Sequence, residues 1–172
     1  MKVAADGKKK FTLLTVAPAA TNRIPTVTEL NAGQDISCAV LDSDANWTHT
    51  ASDRFNEKPA CTKGNSQALG ASNYDTALTF LREYLEAGGG ADVTGADLGY
   101  QAVKTKGTTV WIYLRESDKD SGEDWAAEDV IDLGGEVVSD APMRVNNDGN
   151  LKRRIEFLPQ NMITEVPVLA GA

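Results

Sequence analysis

Histidine is nearly absent from this 172-residue sequence, since His49 is the only one. Histidine is the side chain most often used as a general acid or base. His49 lies next to Trp47-Thr48 in a stretch typical of a strand, and no nucleophile elbow accompanies it, so a Ser-His-Asp relay is not indicated. We therefore predict that the protein is not an enzyme and has no catalytic residue.

Cysteine is almost as scarce, with only Cys38 and Cys61. Two cysteines are too few for a disulfide framework, and they have no partners at the close spacing of a zinc site. Two interpretations remain open. Either both thiols are small buried hydrophobic groups, as free cysteines commonly are, or they form a bridge between neighbouring strands.

Long apolar segments are also missing. No run of eighteen apolar residues exists, and the N-terminus MKVAADGKKKF has charge but lacks the apolar part of a secretory signal. We therefore expect no membrane partner and synthesis in a cytoplasm. Apolar residues still make up 41% of the chain, which is enough for the core of one domain. We expect a mobile N-terminal arm at residues 1–10 and a single β-rich domain at residues 11–172.

Basic residues are scarce in one long segment of the chain. Between Glu116 and Asp140 there are ten acidic residues and a single base, Lys119, so that this segment has a charge of −9 while the whole chain has −8. The rest of the chain is therefore close to neutral. A concentrated negative field of this kind repels nucleic acid.

Motifs for metals and cofactors are weak. Asp42, Asp44 and Asn46 have the spacing of the first calcium-loop ligands, with Asp53 at the twelfth position, but Trp47 stands where such a loop needs glycine. A polar turn is the favoured interpretation. Two glycine runs lack the lysine and serine of a nucleotide-binding loop, and we interpret 88–90 as a flexible turn and 134–135 as a bulge. We predict no metal and no cofactor.

The apolar pattern predicts a mainly β chain. The segment 25–41 favours an extended entry at Pro25, one helical turn capped by Thr28 and ended by a left-handed Gly33, and then a strand. Strong β-formers predict the clearest strand at 108–115, with both of its faces apolar and covered. The other predicted strands are 11–17, 36–41, 47–52, 130–133, 136–139 and 151–158, and residues 162–169 are a last strand or an arm. A turn signal at Asn147–Asn150 predicts a hairpin.

Three further segments have less decisive patterns. Residues 53–72 form a long polar stretch, which inside a compact domain is usually functional or disordered until bound. Residues 73–85 fit helical spacing and one face of a strand almost equally well. Residues 95–106 favour a short helix with Thr94 as its cap and Gly107 as its end.

One basic cluster, Lys152-Arg153-Arg154, stands out in the second half of the chain. On a strand, Arg153 points away from its two neighbours, so the cluster does not form a continuous stripe for nucleic acid. In a chain with so many acids, an ionic contact between protein surfaces explains the cluster better.

Four blocks of sequence stand out along the chain: Pro25–Ile36 (PTVTELNAGQDI), Ser72–Phe80 (SNYDTALTF), Lys104–Glu116 (KTKGTTVWIYLRE) and Asp124–Asp129 (DWAAED). These blocks, in this order, resemble the major tail tube proteins of phages with long non-contractile tails. The order and spacing of the blocks make the resemblance more specific than any one block alone.

The resemblance implies a β-sandwich or barrel with one flanking α-helix and extended arms or loops. It implies that 73–84 is a strand and that 95–106 is the principal helix. Such subunits form homo-hexameric rings that stack into a tube in the virion tail, with tape measure and terminator proteins as further partners. DNA passes through the tube without specific binding. The long loop 53–72 would then become ordered only against a neighbouring ring.

Two other classes of protein remain open. A β-sandwich binding or capsid-decoration module would be monomeric or trimeric and would form no tubes. A hydrolase or metal-dependent enzyme would need a concave polar site, which the sequence does not indicate.

The candidate functional residues are therefore charged residues at an interface or in the lumen. They are the four acids Asp118, Asp120, Glu123 and Asp124 and the three bases Lys152, Arg153 and Arg154. The acids can line the channel, lie on the outer wall, or lie between subunits, where the three bases would pair with them.

Overall fold

The computed structural model describes residues 4–86, 88–95, 97–145 and 148–171. Within these residues the chain is mainly β, as predicted. The strands are β1 (Lys9–Leu14), β2 (Gln34–Asp35), β3 (Asn46–Thr50), β4 (Arg54–Asn56), β5 (Gln67–Leu69), β6 (Asn73–Leu81), β7 (Thr109–Glu116), β8 (Val130–Ser139), β9 (Met143–Arg144) and β10 (Lys152–Pro167). Two short α-helices are present, α1 (Val27–Ala32) and α2 (Leu98–Val103), and 3₁₀ turns lie at Ser37–Ala39 and Asp42–Asp44.

A single antiparallel sheet runs through most of these strands in the order β2-β1-β7-β8-β10-β6-β3, with β9 on β10. The 16-residue strand β10 joins its two halves, because residues 152–156 pair with β6 and residues 157–167 pair with β8. The register shifts between Pro159 and Asn161. Such an irregularity bends a strand, which allows one long strand to serve both halves of the sheet.

The main core lies between these two halves. It contains Phe11 from β1, Ile112 from β7, Phe80 from β6 and Phe157 from β10, all buried. Trp47 of β3 packs edge-on against Phe11 and Phe157, and its Nε1 donates to the carbonyl of Leu133 at 3.1 Å. The indole therefore closes β3 over β8 while its polar group stays satisfied.

A second, smaller core lies on the opposite face of β1, β7 and β8. It contains Leu14, Leu30 of α1, Tyr113, Trp125 and Val168. The alternation predicted for β7 is confirmed, since Val110, Ile112 and Leu114 face the main core while Tyr113 and Trp111 belong to the second one. Both faces of β7 are covered because each has its own apolar layer.

The prediction for residues 25–41 was partly wrong. Helix α1 begins two residues earlier than predicted: Thr26, not Thr28, is its N-cap, and Thr26 and Glu29 form a reciprocal capping box. Gly33 follows the helix in an extended conformation, with φ −71°, and not in the left-handed one. A side chain at Gly33 would collide with Leu14 and Thr12, so this glycine is needed for the close approach of α1 to β1.

The strand predicted at 36–41 is also wrong. The Asp35 carboxylate accepts hydrogen bonds from the backbone N–H and the hydroxyl of Ser37, at 2.9 and 2.5 Å, and Ser37–Ala39 form a 3₁₀ turn. This local side-chain bond competes with a ladder and bends the chain out of the sheet. Only Gln34–Asp35, just before the bend, pair with β1.

Two further predicted segments are confirmed with changed boundaries. Residues 73–81 form the strand β6, as the family resemblance implied and against the helical spacing. The helix predicted at 95–106 is limited to Leu98–Val103, and Asp97 occupies the N-cap position in place of Thr94; Ala96 lies outside the described residues. The long loop 53–72 contains a hairpin, in which β4 pairs with β5.

The two predicted strands 130–133 and 136–139 are one continuous strand, β8, so the bulge predicted at Gly134-Gly135 is wrong. The register shift lies on the facing strand β10 instead. Gly135 has φ +147°, and a Cβ there would collide with the carbonyl oxygen of Asn161. Gly135 therefore serves a close approach of β10, and Gly134 a close approach of β7, where a Cβ would collide with Tyr113 and the Ile112 carbonyl oxygen; neither glycine is an extra residue in β8.

The boundary of the predicted 1–10 arm was also wrong, since Lys9 and Lys10 already lie in β1. Lys10 is 5% exposed, and its Nζ donates to the Asp35 carboxylate at 2.7 Å. Residues 1–3 lie outside the described residues, as does Asn147 of the predicted turn Asn147–Asn150.

Candidate assembly surface

Arg115 is the charged residue that organises the acidic segment, and sequence analysis did not single it out. In β7 its side chain lies on the same face as Trp111 and Tyr113, the face that the second core covers, and it is fully buried. A basic residue placed by period-two alternation on a covered apolar face is a signal that predicts a buried partner. That signal was available in the segment 108–115.

The Arg115 guanidinium holds the loop that follows β7 from the inside. One terminal nitrogen donates to the Asp129 carboxylate at 2.9 Å and to the carbonyl of Asp124 at 3.1 Å. The other donates to the carbonyls of Asp120 and Glu123, at 2.9 and 3.2 Å. The loop therefore directs backbone oxygens toward a buried cation, which fixes its shape.

Trp125 joins this loop to helix α1. The Asn31 side chain donates to the Trp125 carbonyl at 3.0 Å and accepts from its backbone N–H at 2.8 Å. The Trp125 indole donates to the Thr12 hydroxyl at 2.8 Å. Two of the blocks that resemble the tail tube family, 25–36 and 124–129, thus contact each other directly. The short segment 25–36 serves to brace the acidic loop.

The four candidate acids lie on the outside of this loop, and all four are exposed. Asp120 forms an ion pair with Lys8 at 2.5 Å, and Glu123 accepts a hydrogen bond from the Asp120 backbone at 2.9 Å. In the described part of the chain, the carboxylates of Asp118 and Asp124 have no hydrogen-bond or ion-pair partner. The loop therefore presents charge on a rigid frame.

The structure does not bring the basic candidates to these acids within one chain. The Arg154 guanidinium pairs with Asp44 at 2.7 Å, and Arg153 donates to the Lys152 carbonyl at 2.7 Å. Lys152 Nζ donates to the carbonyl of Asp148 at 3.3 Å. Arg153 and Arg154 form no ion pair with the four acids.

The hairpin of β4 and β5 is the most exposed feature of the described chain. Every residue from Asp53 to Leu69 is exposed, including the apolar Phe55 and Leu69, at 58% and 78%. Asn73 ties its base by donating to the carbonyl of Ala51 and to the carboxylate of Asp53, at 3.1 and 3.0 Å. A two-stranded hairpin that is attached only at its base and leaves its apolar side chains exposed gains little stability from its own subunit.

The residues weighed for other chemistry have ordinary structural contacts. His49 shares a hydrogen bond with the Thr164 hydroxyl at 2.9 Å and packs on Tyr74. Asp42 pairs with Lys9 at 2.8 Å, and Asp44 pairs with Arg154. Cys38 and Cys61 are both free and exposed, so neither the buried nor the bridged interpretation is correct.

No group of histidine, cysteine, aspartate and glutamate side chains in the described ranges is arranged to hold a metal ion. Among the same residues, no helix is long and apolar enough to cross a membrane.

Acid should destabilise the subunit through its buried carboxylates. Burial alone would raise the pKa of Asp97, but hydrogen bonds from Arg82 and Gln101 outweigh it and lower the pKa below the ordinary 3.8. For Asp129, burial is likewise outweighed by the hydrogen bonds from Lys119 and the Ala126 backbone. A lowered pKa stabilises the fold above the ordinary value, and this contribution is lost as pH falls through the folded-state value. Urea unfolding should therefore show a steep loss of stability below about pH 4.

The variant D97N tests this assignment. The substitution is expected to lower the free energy of unfolding by about 1.5–3 kcal/mol at pH 7, as for the loss of hydrogen bonds to a charged group. It should also make the loss of stability below about pH 4 less steep. D132N is the control, because burial and the charges of Glu116 and Glu165 raise the pKa of Asp132, so its removal has the opposite sign. If the stability of D97N fell as steeply with decreasing pH as that of the wild type, the role of Asp97 would be contradicted.

A mainly β subunit with a protruding hairpin and a braced acidic loop has features typical of a structural assembly protein. The chain belongs to the phage tail tube protein family, whose sequence profile matches residues 1–172, the whole chain. This match confirms the resemblance noted in the sequence and supports a structural role in a virion tail. Comparisons with curated proteins and with solved structures gave no match.

Proposed function

We propose that the protein is the repeating subunit of the tube in a long non-contractile phage tail. Six copies form a ring, the rings stack, and the tube conducts DNA during infection through a negatively charged lumen. The family match over residues 1–172 is the observation that carries this proposal. The acidic balance of the chain supports it, since a negative wall keeps phosphate from adhering.

The proposal includes partners and location. The chief partner is the protein itself, and tape measure and terminator proteins meet the tube along its axis and at its end. The subunit is made in the host cytoplasm and resides in the virion tail. It has no catalytic activity. Family membership supports the tail location and assembly with other tail proteins.

The hairpin of β4 and β5 is proposed to reach the neighbouring ring. Its exposed Phe55 and Leu69 and its weak attachment to its own subunit support this role. Ordering a hairpin costs conformational entropy, which contacts with a second subunit offset.

The four acids Asp118, Asp120, Glu123 and Asp124 are proposed to lie at a contact between subunits. Their loop follows the end of a strand, and loop ends of a sheet lie on the rim of a domain, where stacked rings meet. Its frame is fixed by Arg115 before assembly, so little ordering entropy is lost on contact. The lumen and the outer wall are the two other locations.

Replacing these acids together (D118N, D120N, E123Q, D124N) separates the three locations. An interface role predicts impaired tube formation with a changed salt dependence, because exposed ion pairs contribute about 0.2–1 kcal/mol each and are screened by salt. Turbidity and electron microscopy across a salt series measure this. Stability of the dissociated subunit should stay within about 1 kcal/mol of the wild type.

The control removes three exposed acids on other elements of the subunit (E83Q, E86Q, E156Q) and should leave assembly unchanged. Normal tubes that deliver DNA poorly would place the acids in the lumen. Normal tubes with normal delivery would place them on the outer wall.

The proposed function itself is tested by imaging the purified chain. Tubes of stacked rings are expected. A monomer or trimer that forms no tubes at any salt concentration would indicate a binding or decoration module instead.

A further inference from the structure

Two arginines lie directly opposite each other on neighbouring strands. Arg144 of β9 and Arg153 of β10 are cross-strand partners in the antiparallel register. Side chains in such a pair have Cβ atoms about 4.5–5.5 Å apart, and like charges in that position are destabilising. The repulsion between these two guanidinium groups therefore lowers the stability of the separate subunit.

This cost is not compensated within the described part of the chain. Arg144 is exposed, and its guanidinium forms no hydrogen bond or ion pair there. Arg153 donates only to the uncharged carbonyl of Lys152. Arg154 differs from both, because Asp44 already neutralises it at 2.7 Å. The pair Arg144 and Arg153 is thus a site of unmatched positive charge, whereas Arg154 of the predicted cluster is already paired.

The same chain presents the complementary surface. Asp118 and Asp124 are exposed and have no partner among the described residues, while Lys8 neutralises Asp120 between them. Arg115 holds the backbone of their loop, so the two carboxylates keep a fixed position relative to each other. Two guanidinium groups on adjacent strands can each bind one carboxylate, and such pairs can be bidentate.

We propose that Arg144 and Arg153 of one copy bind the carboxylates of the acidic loop, chiefly Asp118 and Asp124, of a second copy. This inference rests on the proposed tube function and names the partner of the acidic loop. It replaces the expectation that Lys152 and Arg154 share this role. Binding relieves the repulsion between the two arginines, so the contact stabilises the assembly more than the separate subunit.

The test uses the double variant R144Q/R153Q of the full chain. Its tubes should form only at about fivefold higher protein concentration than wild-type tubes, the effect expected for two exposed ion pairs, and the difference should shrink with added salt. The dissociated subunit should be as stable as the wild type or more stable, because the repulsion is gone. The matched control K104Q/K106Q removes two exposed lysines and should assemble normally.

A charge exchange completes the test. R144E/R153E should abolish assembly, and combining it with D118K/D124K should restore tubes, which a purely structural role would not allow. If the wild type forms tubes and R144Q/R153Q forms them at the same protein concentration, this pairing is overturned and the proposed tube function stands. A wild-type chain that never assembles would overturn both. Normal assembly of R144Q/R153Q with reduced retention of double-stranded DNA would instead assign the pair to phosphate.

Discussion

Replacing Arg115 by methionine is expected to destabilise the subunit by about 3–5 kcal/mol, the cost of removing one partner of a buried ion pair. The Asp129 carboxylate, only 4% exposed, would lose its buried cation. The carbonyls of Asp120, Glu123 and Asp124 would lose their donors at the same time. Denaturant unfolding measures the change in stability, and limited proteolysis should show cleavage within 117–128.

The control for this variant changes both partners. R115M/D129L removes the buried carboxylate together with the cation, and it should recover part of the lost stability, because an apolar replacement of a buried pair is often tolerated. Lys119, which also contacts Asp129, would be left without it, so recovery is expected to be partial. A single variant R115M within about 0.5 kcal/mol of the wild type would contradict the organising role of Arg115.

Shortening the hairpin is expected to abolish tube formation without affecting the fold. Asn56 and Gln67 face each other in the register of β4 and β5, so residues 57–66 can be replaced by Asn-Gly, which closes a two-residue turn. The removed residues are all exposed, and the melting temperature of the subunit should change little. Assembly should fail because the tip of the hairpin, which extends its reach toward the next ring, is gone, although Phe55 and Leu69 remain.

A second variant separates sequence from length. Residues 57–66 are replaced by ten glycine and serine residues, which preserve the reach of the hairpin but remove its side chains. If specific contacts matter, this variant also fails to assemble. Size-exclusion chromatography and electron microscopy measure both. Normal tubes from the Asn-Gly variant would contradict the proposed role of the hairpin.

Sequence reasoning predicted the fold best where both faces of a strand had a clear apolar pattern. The segment 108–115 was predicted with its boundaries shifted by one residue and with its faces correctly assigned, because period-two alternation fixes which side chains meet which core. Segment 73–81 could not be decided by spacing alone. Its strand conformation depends on pairing with β3 and β10, which are distant in sequence.

The errors have local physical causes. At 36–41, β-branched and apolar residues favoured a strand, but the hydrogen bond from Ser37 to Asp35 turned the chain instead. At the start of α1, two threonines competed for the cap, and the spacing of Thr26 and Glu29 was the signal of the capping box.

The role of the candidate site residues stays a prediction, but part of their arrangement could be expected from the sequence. The exposed acids were found because charge density can be counted along a sequence. Arg144 was missed because its cross-strand contact with Arg153 depends on the register of β9, a strand of only two residues. Such short strands leave almost no pattern in the sequence.

The most direct measurement of the central claim is electron microscopy of tubes grown from the purified chain, with image analysis of their rotational symmetry. The account predicts rings of six copies stacked along an open channel, with the hairpin of β4 and β5 of each copy in contact with the adjacent ring. Closed oligomers that do not stack, or tubes in which this hairpin contacts only solvent, would contradict it.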